Sequence, residues 1–349
     1  MRDRHIHIEQ DSSLLREIYQ RVDEELTFGG KTKILLVSKF AFYFVWMVAA
    51  YAGIYVASNT VLFFVSYVAY GLASVLMGFN FAHDFSHNTI FKSKKLNQVC
   101  FTIIYALLGA HAEAWKYRHI HSHHFAPNVK DYDSDLQITS LIRVEPSSPI
   151  RWYHRIQHIY APLAYTTYSL YWVFVKDFVI YFSDRSNPQR MKIYWHISFW
   201  LQKSFYLSAL LIYPVLFSNH HWSTVATAFL AMHLVQSLFL LFTFFITHHV
   251  ENTAYFATDA NGYISTSWVT NQIKSSNDFY PFSNTANFIF GGFNNHVAHH
   301  LFPHVHHVHY PQLNRILYRV LNEHHIKPNE TTFFGGVLSH LRHLKNMGA

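Results

Sequence analysis

Charge is what this 349-residue sequence has least of. Asp, Glu, Lys and Arg make up 13% of it, about half the share of an ordinary soluble domain. From Phe40 to Ala82 there is none at all. That excludes a solvated surface over the stretch and leaves enough length for two bilayer crossings. Cysteine is nearly absent. Cys100 stands alone, which excludes an intramolecular disulfide and any thiolate-held cluster, and it reads as a small buried residue. Two metal motifs are missing as well. There is no Glu-x-x-His, the pair that soluble di-iron proteins use, and no His-Glu-x-x-His of the zinc proteases. Nor is there an initial apolar run with a small-residue cleavage pattern, so no signal peptide is expected.

The apolar excess comes in blocks. Phe40 to Ala82 divides at the polar patch "ASNT" (Ala57 to Thr60), a hairpin between two spans. Ser223 to Thr247 is a further uncharged run, preceded by a weaker one at 196–217 that Lys203 interrupts. Lys203 is expected to snorkel to the interface. The reading is an all-α integral membrane fold with four transmembrane helices in two hairpins. Residues 99–110 are too short to span, and 161–182 is broken by Lys176 and Asp177; both read as interfacial or re-entrant helices. The net charge of +7 follows the positive-inside rule, not nucleic acid. Arg2, Arg4, Arg16, Arg21, Lys31 and Lys33 precede the first span. Lys92, Lys94, Lys95, Lys116 and Arg118 follow the second. Both termini and the middle segment should therefore face the cytoplasm. Residues 1–33 form an N-terminal segment, 34–325 the membrane domain and 326–349 a C-terminal tail.

What the chain has in plenty is histidine, 28 residues. Three clusters have ligand spacing: His83 and His87; His119, His123 and His124; His296, His299 and His300. Each contains an i, i+4 pair, which shares one face of a helix. The adjacent His124 and His299 point about 100° away, so each cluster can serve two neighbouring centres. An even number of crossings separates the clusters, so all reach one membrane face. His233, inside the last span, reads as a satisfied polar residue, and His220 and His221 as outer-loop residues. His5, His7, His324, His325, His340 and His343 lack ligand spacing. Imidazole suits iron, zinc, copper and nickel. A nearly all-histidine di-metal site is the design implied. A metal transporter would place its ligands at mid-membrane between repeated halves, and neither feature is present here.

The boxes HX3H (83–87), HX3HH (119–124) and HX2HH (296–300) resemble those of integral-membrane fatty acid desaturases. "HRIQHIYAPLAY…WVFVKDF" (154–178), "FITHHVE" (245–251) and "GGFNNHVAHHLFPHVHHVHYP" (291–311) resemble the bacterial linoleoyl-CoA and front-end group. The resemblance implies a bacterial inner membrane enzyme with two iron ions on the cytoplasmic face. Its expected reaction is O2-dependent insertion of a cis double bond into a fatty acyl chain carried on CoA or lipid. The ligands carried over are His83, His87, His119, His123, His124, His296, His299 and His300, with His248 as ninth and His249 as its competitor. Asp84, Asp133, Asp135, Glu251 and Asn294 are candidates to orient them. Ile120 and Ala298 depart from the family pattern, as does His296, where front-end enzymes often have glutamine. Pro303 should turn His304 to His309 away from the metal, with His304 and His306 as bystanders and His307 and His309 in supporting roles. The chain contains no His-Pro-Gly-Gly haem signature. A separate ferredoxin or cytochrome b5 with its reductase is expected to deliver electrons. A hydroxylase on the same scaffold is the nearest rival.

Overall fold

The computed structural model describes residues 4–30, 32–136, 139–183 and 188–349. Arg2 and Lys31, two of the cations counted before the first span, lie outside them. Helices dominate. The two named strands, β1 (Asn277–Phe279) and β2 (Asn329–Thr331), pair in parallel with Asp278 opposite Glu330.

Among the described residues, three helices are long and apolar enough to cross a membrane: Thr32–Val56, Thr60–Ser86 and Trp222–His248. The "ASNT" hairpin falls between the first two, where the Asn59 side chain accepts from Leu62 N at 3.0 Å and caps the second helix. The fourth expected span, 196–217, is helical but interrupted. Ile193–Leu207 passes through a π turn at Ser208–Ile212 into Tyr213–Phe217; the run is long enough to span, as Thr60–Ser86 is with its own π turn at Gly78–Ala82, but it is not among the helices apolar enough to do so. Residues 99–110 belong to the helix Lys94–Leu108, which Gly109 ends in a left-handed conformation (φ +75°). A Cβ there would lie 2.6 Å from the Tyr206 ring, so only glycine fits. Residues 161–182 fall in a broken series, Gln157–Tyr165, Tyr168–Tyr171, a π turn at Trp172–Lys176, and Asp177–Ser183.

The chain forms two compact units. One comprises Lys33–Tyr117 and Pro162–Leu241. Here Lys203 does not snorkel. It is buried, and its Nζ donates to Asp177 Oδ2 at 2.7 Å and to the Gly109 and Val173 carbonyls at 2.6 and 2.8 Å. The two charges that weakened their separate segments are one buried ion pair. His233 is satisfied as expected, by Ser169 Oγ at 2.7 Å and Tyr206 OH at 2.9 Å.

The other unit comprises Met1–Thr32, Arg118–Ala161 and Phe242–Ala349. Its core includes one face of the helix Glu9–Glu25. Leu14, Ile18 and Val22 recur at helical spacing and bury against Val297, Leu301, Leu313 and Leu317. Tyr19 OH adds a bond to the Leu301 carbonyl, and Arg21 pairs with Glu323 at 3.1 Å. Residues 326–349 supply β2 and the helix Phe333–Met347, which buries His340 and His343. Both end segments that composition sets apart are built into this unit.

Candidate metal centre

The third histidine box forms the short helix His296–Leu301. Asp278 of β1 starts it by accepting from Val297 N at 2.9 Å. Burial pushes the Asp278 carboxyl up to about 7. His296 and His300 lie one turn apart with their Nε2 atoms 3.2 Å from each other. His248, the last residue of the helix Trp222–His248, brings its Nε2 to 2.7 Å from His296 and 3.2 Å from His300. His123 completes the group, its ring 4.5 Å from that of His248 and 5.0 Å from that of His300. One nitrogen from each of the four lies within 4.8 Å of all the others, and all four are buried.

The protons on these rings are fixed by their partners. His248 Nδ1 faces the Ser275 carbonyl at 2.8 Å, His123 Nδ1 faces Asp133 Oδ2 at 3.1 Å, and His300 Nδ1 faces Gln272 Oε1 at 2.8 Å. None of these oxygens can donate, so each Nδ1 carries the hydrogen and each neutral ring turns a bare Nε2 inward. Bare nitrogens this close repel one another unless a cation lies between them. The donor set, four imidazoles with one carboxylate behind, fits an iron centre.

Electrostatics sharpen the picture. Burial, then the neighbouring imidazoles, hold His300 well below the usual imidazole range, so the ring stays neutral and able to ligate. Burial works the same way on His123, but the Asp133 charge and hydrogen bond outweigh it and push His123 up. Metal and proton compete for His123 Nε2. Above its raised pKa the ring is free to ligate; as pH falls through that value the imidazolium forms and metal is released. Bound iron, assayed after equilibration across a pH series, is therefore expected to decline on the acid side, beginning above the pH at which an ordinary histidine titrates.

The second box holds a correction. His119–His123 is a π turn closed by His124 N to the His119 carbonyl at 3.0 Å. A π turn brings i and i+5 together. The Nε2 contact is thus His119 to His124, 3.1 Å, and not the expected i, i+4 pair. His123 goes to the four-histidine group. His119 and His124 instead gather with His299, whose ring lies 5.8 and 4.5 Å from theirs. In the other unit, His83 and His87 have rings 5.1 Å apart. Burial pushes His87 down to about 4, with the charge of Asp84 opposing. Asp84 is itself buried.

His248, not His249, faces the group. His249 Nδ1 bonds Tyr255 OH at 2.8 Å and its ring stacks on that tyrosine. Glu251 does not orient His248: its carboxylate accepts from Ser339 at 3.1 Å and lies 3.9 Å from Arg342, and the Ser275 carbonyl takes the role. Asn294 braces backbone instead of imidazole, donating to the Tyr280 carbonyl at 3.3 Å. Asp135 pairs with Arg118 at 2.6 Å. After Pro303, His304 is exposed, whereas His306, His307 and His309 are buried. Sequence reasoning missed Gln272, Ser275 and Asn128. Asn128 sits at φ +58°, and its Nδ2 donates to the His248 and Ala254 carbonyls at 2.9 and 3.1 Å. Its backbone N–H donates to Asp133 at 3.0 Å. One asparagine thus ties the His248 arm to the His123 arm. A polar residue beside apolar Val269 and Ile273 was the available signal for Gln272.

The profile of the fatty acid desaturase family matches residues 58–332. The chain belongs to the fatty acid desaturase family. The chain is 30% identical to acyl-lipid (8-3)-desaturase B of Dictyostelium discoideum, over 93% of this chain and 72% of that protein. It is 29% identical to acyl-lipid (8-3)-desaturase of Physcomitrium patens, over 82% of this chain and 60% of that protein. With sn-1 linoleoyl-lipid 6-desaturase of Arthrospira platensis the identity is 27%, over 80% and 76%. The chain therefore spans about three fifths to three quarters of the length of these relatives. The matched region of the chain contains all three histidine boxes, but it begins after the helix Glu9–Glu25 and stops before Phe333–Met347.

Proposed function

We propose that this chain is an O2-dependent fatty acyl desaturase with two iron ions and four membrane spans, its active site and termini cytoplasmic in a bacterial inner membrane. The observation that carries the reading is the convergence of four imidazole nitrogens, three with their protons pinned outward, in a chain of this family. His123, His248, His296 and His300 hold one iron. His119, His124 and His299, with the first-box His83 and His87 carried over from the family motif, hold the other. The names of the relatives, acyl-lipid and linoleoyl-lipid desaturases, favour a lipid-linked acyl chain as substrate.

The bound iron supplies, from O2 and electrons, an oxidant strong enough to take hydrogen from an unactivated methylene. The balance is one acyl CH2–CH2 unit, O2, two electrons and two protons giving a cis CH=CH unit and two waters. A separate ferredoxin or cytochrome b5 with its reductase provides the electrons. The chain's own work is positional. Asp133, Ser275 and Gln272 hold three imidazoles in one tautomer. Asn128 keeps two ligand arms in register. Burial of the four rings keeps bulk water from the reacting atoms.

Expression in a host lacking such an enzyme, followed by gas chromatography of its lipids with double-bond positions mapped, tests the proposal. A new cis double bond is expected, absent with His300→Ala. Feeding labelled acyl chains on phospholipid and on CoA separates the carriers. A hydroxylated chain without a new double bond would overturn the reading in favour of a monooxygenase on the same scaffold.

A further inference from the structure

Gln272 has no counterpart in the box motifs, yet it is fully buried beside the four-histidine group. Its Oε1 meets His300 Nδ1 at 2.8 Å, and its Nε2 has no hydrogen-bond partner among the described residues. A buried amide left half satisfied is unfavourable, so a position serving packing alone would be apolar. The seven-residue helix that carries it, Trp268–Lys274, is tied down from several sides. Asp11 accepts from Ser267 and, at 2.7 Å, from Thr270. Asn271 accepts from His5 at 3.2 Å and donates to the Pro127 carbonyl at 2.9 Å. The amide is thus aimed by the N-terminal segment and by the loop after the second box.

We infer that Gln272 is the positioning residue of His300 and sets the electronic character of that side of the metal site. This rests on the iron reading given above. As an acceptor it holds His300 in the Nδ1–H form, with the Nε2 lone pair toward His248 and His296. As a neutral acceptor it withholds the negative charge that Asp133 supplies to His123. The four-histidine group therefore has one anionic and two neutral supports. A carboxylate in place of the amide would keep the geometry and add electron density to the imidazole, favouring the ferric state.

The test uses the full chain in detergent, loaded anaerobically with ferrous iron alone, with iron counted per chain and followed by Mössbauer spectroscopy and redox titration. Gln272→Leu is expected to weaken iron binding about 10- to 100-fold. Gln272→Glu is expected to retain iron, change part of the Mössbauer spectrum and move the midpoint potential to more negative values. A packing role predicts the opposite order, because leucine fills the space and glutamate buries a charge. Wild-type iron binding and potential unchanged in both variants would overturn the inference while leaving the site intact. A wild-type chain that binds no iron would overturn the reading beneath it as well. If the leucine variant does not fold, the glutamate variant decides: a negative shift supports the role, and an unmoved potential refutes it.

Discussion

His248→Ala is expected to abolish desaturation and to remove the iron held by the four-histidine group, whereas His249→Ala keeps both. The two residues are adjacent and both buried, so burial does not separate them. Their partners do. His248 Nδ1 is occupied by the Ser275 carbonyl, which leaves Nε2 at 2.7 and 3.2 Å from the nitrogens of His296 and His300. His249 Nδ1 is engaged by Tyr255 OH, its backbone carbonyl accepts from His340 Nδ1 at 2.7 Å, and it belongs to none of the metal-spaced groups among the described residues. Replacing it with alanine keeps that backbone carbonyl and takes one hydrogen bond from Tyr255 OH, which retains His343 Nε2 at 3.1 Å, a loss of about 0.5–1.5 kcal/mol, visible as a slightly lower melting temperature. His304→Ala, at an exposed position past Pro303, should change neither iron nor product. Iron per chain and the lipid profile of expressing cells provide the readouts. Iron retained in the His248 variant and lost in the His249 variant would reverse the assignment.

The spacing of the boxes was legible because ligand geometry on a helix is local. Which histidine serves which group was not, because that depends on how tightly the backbone winds. His119 and His123 satisfy the i, i+4 rule, yet the π turn swings His119 toward His124 and frees His123 for a different group. No side-chain pattern announces a π turn. The orienting residues were hidden for another reason. Gln272, Ser275 and Asn128 reach the ligand histidines through contacts made across 28, 27 and 120 positions of sequence. Glu251 looked suitable because it stands near the ligands in sequence, but a backbone carbonyl, which every residue owns, did the task. The helix Glu9–Glu25 shows the converse. Its amphipathic face is plain in the sequence, but nothing there says that it covers the third box.

The membrane segments were legible where charge is absent and misleading where it is not. Lys203 and Asp177 each counted against their own helix, since a lone charge in an apolar environment is strongly unfavourable. The structure joins them at 2.7 Å with both side chains almost wholly buried. Asp177→Ala is expected to destabilise the protein by about 3–5 kcal/mol, because it strands the Lys203 ammonium with only the Gly109 and Val173 carbonyls and leaves the His111 N–H, now bonded to Asp177 at 2.7 Å, without its acceptor. Removing both charges at similar volume, as Asp177→Leu with Lys203→Met, should recover most of that loss, since desolvation of a buried pair offsets much of its attraction. Recovery should stop short of wild type, because the His111 amide still lacks an acceptor. Thermal unfolding in detergent, followed by tryptophan fluorescence, measures both. If the single and double variants melt alike, the pair is not what makes Asp177 necessary, and the orphaned His111 amide would account for the whole effect.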